Sequence, residues 1–240
     1  MSNRRNPLII AHRGASLPIS HPENTLAAFR RARSVAADWV ELDVRRTADA
    51  RTAIHHDAHL TDGRPIVSLE RAALPVSVPD LDEALAACAG VGVNVEIKNF
   101  ANEPDYDATQ WLAQAVVDAT RRADPPVSVL VSSFAIDAID RVRALAPSLP
   151  TALLTYVLDD PAAAIALCVA RGHRALHPHD PTVDRSLIDM AHDHGLVVNV
   201  WTVDRPDRIA ELGEMGVDGI CTNVPEVARR VIDGRSCETS

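Results

Sequence analysis

The stretch Trp39-Val40-Glu41-Leu42-Asp43-Val44-Arg45 alternates apolar and charged residues. Side chains of an extended strand point to opposite faces in turn, so Val40, Leu42 and Val44 share one face. Glu41, Asp43 and Arg45 share the other. If the apolar face packs under helices, two carboxylates project together into an enclosed space. Buried like charges raise one another's pKa unless something cationic lies between them. Hard cations such as Mg²⁺ or Ca²⁺ take carboxylate oxygens and meet that need. The plain structural alternative is a solvated edge strand.

A second run repeats the device. In Val93-Asn94-Val95-Glu96-Ile97-Lys98 the polar face carries Asn94, Glu96 and Lys98. Glu96 offers a third carboxylate, and Lys98 a cation for a phosphate. The run Leu8–Ala11 ends in His12-Arg13-Gly14. Histidine exchanges protons near neutral pH, arginine offers a planar fork for phosphate oxygens, and glycine lets the chain turn sharply. A second histidine comes in Ile54-His55-His56-Asp57, where His56 shares the face of Ile54. Two histidines across a metal-bound phosphodiester would make an acid and base pair, each worth roughly 10²–10⁴ in rate. Alone, His12-Arg13-Gly14 could equally be an ordinary strand-to-loop turn. His55, His59, His173, His177, His179, His192 and His194 are read as surface or helix-end residues.

These residues need a frame that holds them at strand ends. Strands are expected over Leu8–Ala11, Trp39–Arg45, Val91–Ile97, Val127–Ser132, Thr151–Thr155, Ala175–His177, Leu196–Trp201 and Gly219–Thr222. Helical spacing marks Leu26–Ala36, Ala108–Arg121, Ile136–Leu145, Ala162–Ala170, Val183–His192, Arg208–Leu212 and Val227–Ile232. Asn24-Thr25, Asp160-Pro161 and Asn223-Val224-Pro225 offer helix starts. The rhythm fits a (β/α)8 TIM barrel, with a doubly wound open sheet as the alternative. One excursion, His55 to Leu81, with an extra strand-like Thr52–His56, interrupts it between the second and third units. Residues 1–240 are expected to form one barrel domain, near the ~250 residues typical of that fold.

Composition narrows the partners. The chain has 240 residues, 47% hydrophobic and 24% charged, with a net charge of -9. No basic stripe invites nucleic acid, and no apolar run approaches the roughly 18 residues of a membrane span. Stable membrane association is not expected. Cys88, Cys168, Cys221 and Cys237 show neither CxxC nor zinc spacing, and are read as reduced thiols of a cytoplasmic protein. The sequence does not indicate an oligomeric state.

Taken in order, His12-Arg13-Gly14, Pro22-Glu23-Asn24-Thr25, Glu41-Leu42-Asp43-Val44, His56-Asp57, Val95-Glu96-Ile97-Lys98, Trp201-Thr202-Val203 and Gly216-Val217-Asp218-Gly219-Ile220 resemble the glycerophosphodiester phosphodiesterase family. The resemblance spans about Leu8 to Val231. It implies a (β/α)8 barrel that hydrolyses glycerophosphodiesters to glycerol 3-phosphate and an alcohol. By position it implies His12 and His56 as general acid and base, and Glu41, Asp43 and Glu96 as ligands of Mg²⁺ or Ca²⁺. Arg13 and Lys98 would contact the phosphate, and Trp201 and Phe134 would line the pocket. Core packing for Phe134 and a barrel plug for Trp201 are the alternatives. Glu23 would be an additional ligand or hydrogen-bonding partner, and Asn24 either joins the mouth or caps the first helix.

Two departures stand out. Thr222-Asn223-Val224-Pro225 replaces the family's frequent Thr-Asp-x-Pro, and asparagine is expected to cap the last helix with little mechanistic effect. The segment Asp57–Leu81 is shorter than the family's insertion, leaving a more open pocket. Competing readings are a phosphodiester lyase releasing a cyclic phosphate from lysophospholipids, and a non-catalytic phosphate-binding barrel. Neither a signal peptide nor exposed apolar anchors are expected, which argues against lipid substrates.

Overall fold

A computed structural model describes residues 6–17 and 19–234. Nine strands form: β1 (Leu8–Ala11), β2 (Trp39–Arg46), β3 (Thr52–Ile54), β4 (Gly92–Ile97), β5 (Val129–Ser133), β6 (Thr151–Thr155), β7 (Ala175–Pro178), β8 (Val197–Val200) and β9 (Gly219–Thr222). Eight helices accompany them: α1 (Leu26–Ser34), α2 (Leu81–Ala87), α3 (Trp111–Arg122), α4 (Ile136–Leu145), α5 (Pro161–Arg171), α6 (Arg185–Asp193), α7 (Pro206–Met215) and α8 (Pro225–Ile232).

All strands except β3 pair in parallel, and β1 closes the ring by pairing with both β9 and β2. The fold is therefore a (β/α)8 barrel. Strand β4 takes one edge of β2 from Trp39 to Val44. The other edge is shared: β1 covers Trp39 and Val40, and β3 runs antiparallel along Val44–Arg46. Strand β2 thus rises past the rim, and β3 folds back beside it.

The apolar faces do what alternation predicts. Val40, Leu42, Val44, Val93, Val95 and Ile97 are buried in one cluster with Phe29, Leu85 and Val116 from the surrounding helices. A fully buried aliphatic or Phe side chain of this size contributes roughly 1.5–3 kcal/mol. Trp39 lies on the inward face of β2 and packs on Leu130, Ala152 and Ala175. A Cβ at Gly92 would lie 2.3 Å from the Trp39 ring, so only glycine admits it there. Trp39, rather than Trp201, is the large side chain packed into the barrel interior.

Helix α2 is missing from the seven sequence-expected helices. Its seven residues make fewer than two turns, too few for periodicity to register. A capping box fixes its start, with Asp80 accepting from the Glu83 N–H and Glu83 returning the bond to Asp80. Helix α3 starts at Trp111 instead of Ala108, because the Asp107 carboxylate accepts from the N–H groups of Thr109 and Trp111 in a preceding turn. Helix α6 begins after its cap Asp184, two residues later than expected. The expected extra strand is confined to Thr52–Ile54. The excursion that follows has its own small core of Ala53, Leu60, Ile66, Leu74 and Val78.

Cys88, Cys168 and Cys221 are buried free thiols, while Cys237 lies outside the described residues. No helix among the described residues is long and apolar enough to cross a membrane.

Candidate active site

Strands β2 and β4 pair in register with Asp43 opposite Glu96 and Glu41 opposite Asn94, so their inward polar faces meet. Glu41, Asp43 and Glu96 each bring a carboxylate oxygen within 4.8 Å of the others, and all three are buried. Burial, then Asp43, pushes the Glu41 carboxyl up to about 8. Burial, reinforced by Asp43 and Glu41 against the pull of Lys98, raises Glu96 to about 7. Burial would raise Asp43 too, but Lys98, His56 and Arg13 hold it well below the usual carboxylate range. Lys98 Nζ lies 2.9 Å from Asp43 Oδ1 and bonds Glu96 Oε1. Glu41 Oε1 is buried without a hydrogen-bond partner. An orphaned carboxylate oxygen beside two others is the donor set a hard divalent cation requires.

The loop after β1 brings the cations. Gly14 has φ +86°, and a Cβ there would meet Ala28 Cβ at 2.8 Å; glycine thus lets the turn lie on α1. Arg13 donates its backbone N–H to Glu41 Oε2 at 2.9 Å, and its Nε lies 3.5 Å from Asp43. Its Nη1 pairs with Glu23 at 2.8 Å. Glu23 thus meets the site as a hydrogen-bonding partner of Arg13. Asn24 donates Nδ2–H to Asp43 Oδ2 at 2.8 Å, while Thr25 caps α1. The cap offered for Asn24 thus belongs to its neighbour, and the Asn24 amide faces Asp43.

His12 Nε2 lies 3.9 Å from Glu41 Oε2. Its Nδ1 bonds Asn223 Oδ1 at 2.7 Å, and Asn223 in turn donates Nδ2–H to Asp204 Oδ2 at 2.8 Å. Because the amide's N–H side faces Asp204, its oxygen faces His12 and places the imidazole proton on Nδ1. The expectation that Asn223 caps α8 fails: Val224 stands at that cap without a side-chain bond. Its amide instead orients His12. His56 Nδ1 pairs with Asp57 Oδ1 at 2.7 Å. Burial lowers the pKa of both histidines, with Arg13 the next cause for His12 and Lys98 and Arg13 further causes for His56.

An aromatic wall flanks this cluster. Phe134 contacts Phe100 and Trp201 at 5.4 Å each, and Trp201 continues to His179 at 4.9 Å. His179 stacks on Tyr156 at 4.5 Å. Phe134 and Trp201 are half-buried members of this wall. Sequence reasoning also missed Phe100, Tyr156 and His179, which come together only through the order of strand ends. His177, taken for a surface residue, is buried, and burial pushes its pKa down to about 3. His173 is likewise buried. Leu17, Ile19, Val76, Tyr106, Tyr156 and Val157 are exposed in connections that follow strand C-termini.

Three buried carboxylates, two cationic side chains and two histidines thus meet at the C-terminal end of a (β/α)8 barrel. The chain belongs to the glycerophosphoryl diester phosphodiesterase family, whose model matches residues 12–227. It is 30% identical over 240 residues to a glycerophosphodiester phosphodiesterase of Caldanaerobacter subterraneus, covering 91% of this chain and 95% of the relative. A Bacillus altitudinis glycerophosphodiester phosphodiesterase is 28% identical over 247 residues, with 93% and 97% covered. Among solved structures, an Oleispira antarctica phosphodiesterase in complex with the product sn-glycerol-3-phosphate superposes with TM-score 0.85 at 25% identity, covering 95% of this chain and 97% of that one.

Proposed function

We propose that this single barrel domain, residues 1–240, is a divalent-metal-dependent enzyme hydrolysing glycerophosphodiesters to glycerol 3-phosphate and an alcohol. The observation that carries it is the orphaned, buried oxygen of Glu41 between two other carboxylates, with Lys98 and Arg13 alongside. Three carboxylates against these two cations leave one formal negative charge, which would repel a phosphodiester anion. A divalent ion held by Glu41, Asp43 and Glu96 reverses that sign and supplies Lewis-acid polarisation of a phosphate oxygen. With those carboxyls at about 8 and about 7 when no cation is bound, a cation entering at neutral pH would displace their protons, so its affinity is expected to rise with pH.

Arg13 and Lys98 bind and orient the phosphate. His12 is the base: its proton is parked on Nδ1 by Asn223, which leaves Nε2 free to take the proton of the attacking hydroxyl oxygen as it bonds to phosphorus. His56 is the acid: Asp43 and the hydrogen-bonded Asp57 carboxylate partly offset the burial that lowers its pKa, and from its charged form a proton passes to the departing alcohol oxygen. The aromatic wall of Phe134 and Trp201 excludes water from one side and packs against the carbon skeleton of the substrate.

The protein in the cytoplasm would meet such diesters as small water-soluble molecules. The test is release of glycerol 3-phosphate from a panel of glycerophosphodiesters with Mg²⁺, with Ca²⁺ and with chelator. Metal-dependent release, lost in His12→Asn and His56→Asn, is expected. A cyclic phosphate that persists in phosphorus NMR would replace hydrolysis by the lyase reaction, and no turnover with any metal would reject both.

A further inference from the structure

Arg45 shares the inward face of β2 with Glu41 and Asp43, yet it touches neither the triad nor the phosphate-facing cations. At 1% exposure it is the largest fully buried side chain among the described residues. A buried guanidinium is retained only where its donors are satisfied and its charge is balanced. Both conditions hold. Nε and Nη2 converge on the backbone carbonyl of His56 at 2.8 and 2.6 Å. Nη1 donates to Glu103 at 2.9 Å and to Asp105 at 2.8 Å, and Nη2 adds Glu103 at 3.1 Å. All five N–H groups of the fork are thereby engaged.

The bond to His56 falls where the sheet stops helping. Strand β3 ends at Ile54, and the His55 N–H still donates to the Asp43 carbonyl at 3.0 Å. The next carbonyl, that of His56, lies beyond the strand and is gripped by Arg45 alone among the described residues' side chains. Glu103 and Asp105 come from the β4–α3 connection, so the guanidinium ties that loop to the one carrying His56.

We propose that Arg45, clamped by Glu103 and Asp105, is a positioning residue that fixes the His56 imidazole over the phosphate site. It rests on the reading of His56 as the catalytic acid. Displacing a catalytic group by about 1 Å can cost 10²-fold in rate, whereas substrate binding need not change.

The experiment is a double-mutant cycle on the metal-loaded full chain, with Arg45→Gln, His56→Asn and the pair, assayed on glycerophosphocholine. Arg45→Gln is expected to lower kcat by roughly 10–100-fold while KM and Mg²⁺ affinity stay within about two-fold. In the pair, the Arg45 change should add nothing to the loss from His56→Asn. Multiplying losses, or a kcat within two-fold of the parent in folded Arg45→Gln, would overturn the proposal. Arg45→Lys covers the case in which glutamine does not fold. One ammonium cannot satisfy the carbonyl and both carboxylates, so kcat should fall several-fold with KM unchanged, and parental kcat would reject the tether. Full activity in His56→Asn would instead remove the catalytic reading of His56.

Discussion

Glu41 concentrates two opposing demands in one side chain. Its oxygens must stay ionised to ligate a cation, yet burial and Asp43 push its pKa up to about 8. Glu41→Gln keeps the shape and the bond accepted from the Arg13 N–H, while removing the charge. Turnover with saturating Mg²⁺ is expected to fall at least ~100-fold, because an amide is a poorer ligand for a hard cation. The metal-free variant at pH 8 should be no less stable than the parent, since a costly buried charge is gone. Steady-state rates and thermal melts in chelator check the two halves. Near-parental turnover would defeat the metal assignment at this residue. The histidines divide along similar lines. His12 is backed by a neutral amide and His56 by a carboxylate, and on the proposed reading that difference would separate base from acid.

Elements transmit these demands unequally. The excursion after β3 begins at His56 and is stapled by Ile66, which is fully buried in its small core. Ile66→Ala should destabilise the protein by about 2–4 kcal/mol. Because that core is separate from the barrel's, amide exchange should accelerate first in residues 58–78, with the barrel strands protected. Uniform loss of protection would show instead that excursion and barrel unfold together. Hydrogen exchange also maps onto what the sequence could reveal. Strands β2 and β4 were legible with their site residues because, although both faces are buried, each sets an aliphatic face against a charged or polar one over six or more residues, and that writes itself as alternation. Strand β7 has four residues and is buried throughout, so nothing marked His177 as interior. Asn24 and Asn223 resembled helix caps because each sits just before a helix. Their actual partners, Asp43 and His12, lie 19 and 211 residues away, and local pattern carries no trace of such pairs. The fork from Arg45 to the His56 carbonyl was hidden for the same reason.

At the scale of the molecule, the site couples stability to pH and metal. Glu41 and Glu96 titrate near 8 and 7 in the folded chain without a cation, against a reference of 4.5. Between those values the folded state holds more protons than the unfolded one, so stability falls as pH rises. Asp43 acts oppositely, since its depressed pKa contributes stability present above its reference of 3.8 and lost below it. The histidines whose pKa burial lowers, His12, His56, His173 and His177, oppose this below their reference of 6.5, so the downward slope is expected from about pH 7 to about pH 8. Bound metal displaces those protons and removes the slope. It adds binding energy of its own, about 2.7 kcal/mol at a hundred times Kd. For a chain of this size each kcal/mol moves Tm by roughly 2–4 °C. Thermal melts across this range should show Tm declining in chelator and holding level, at a higher value, in excess Mg²⁺ or Ca²⁺. The gap should widen with pH, and Glu41→Gln should narrow it. A Tm in chelator that ignores pH would mean the triad is not strained, and with it the strongest physical reason for a cation would go.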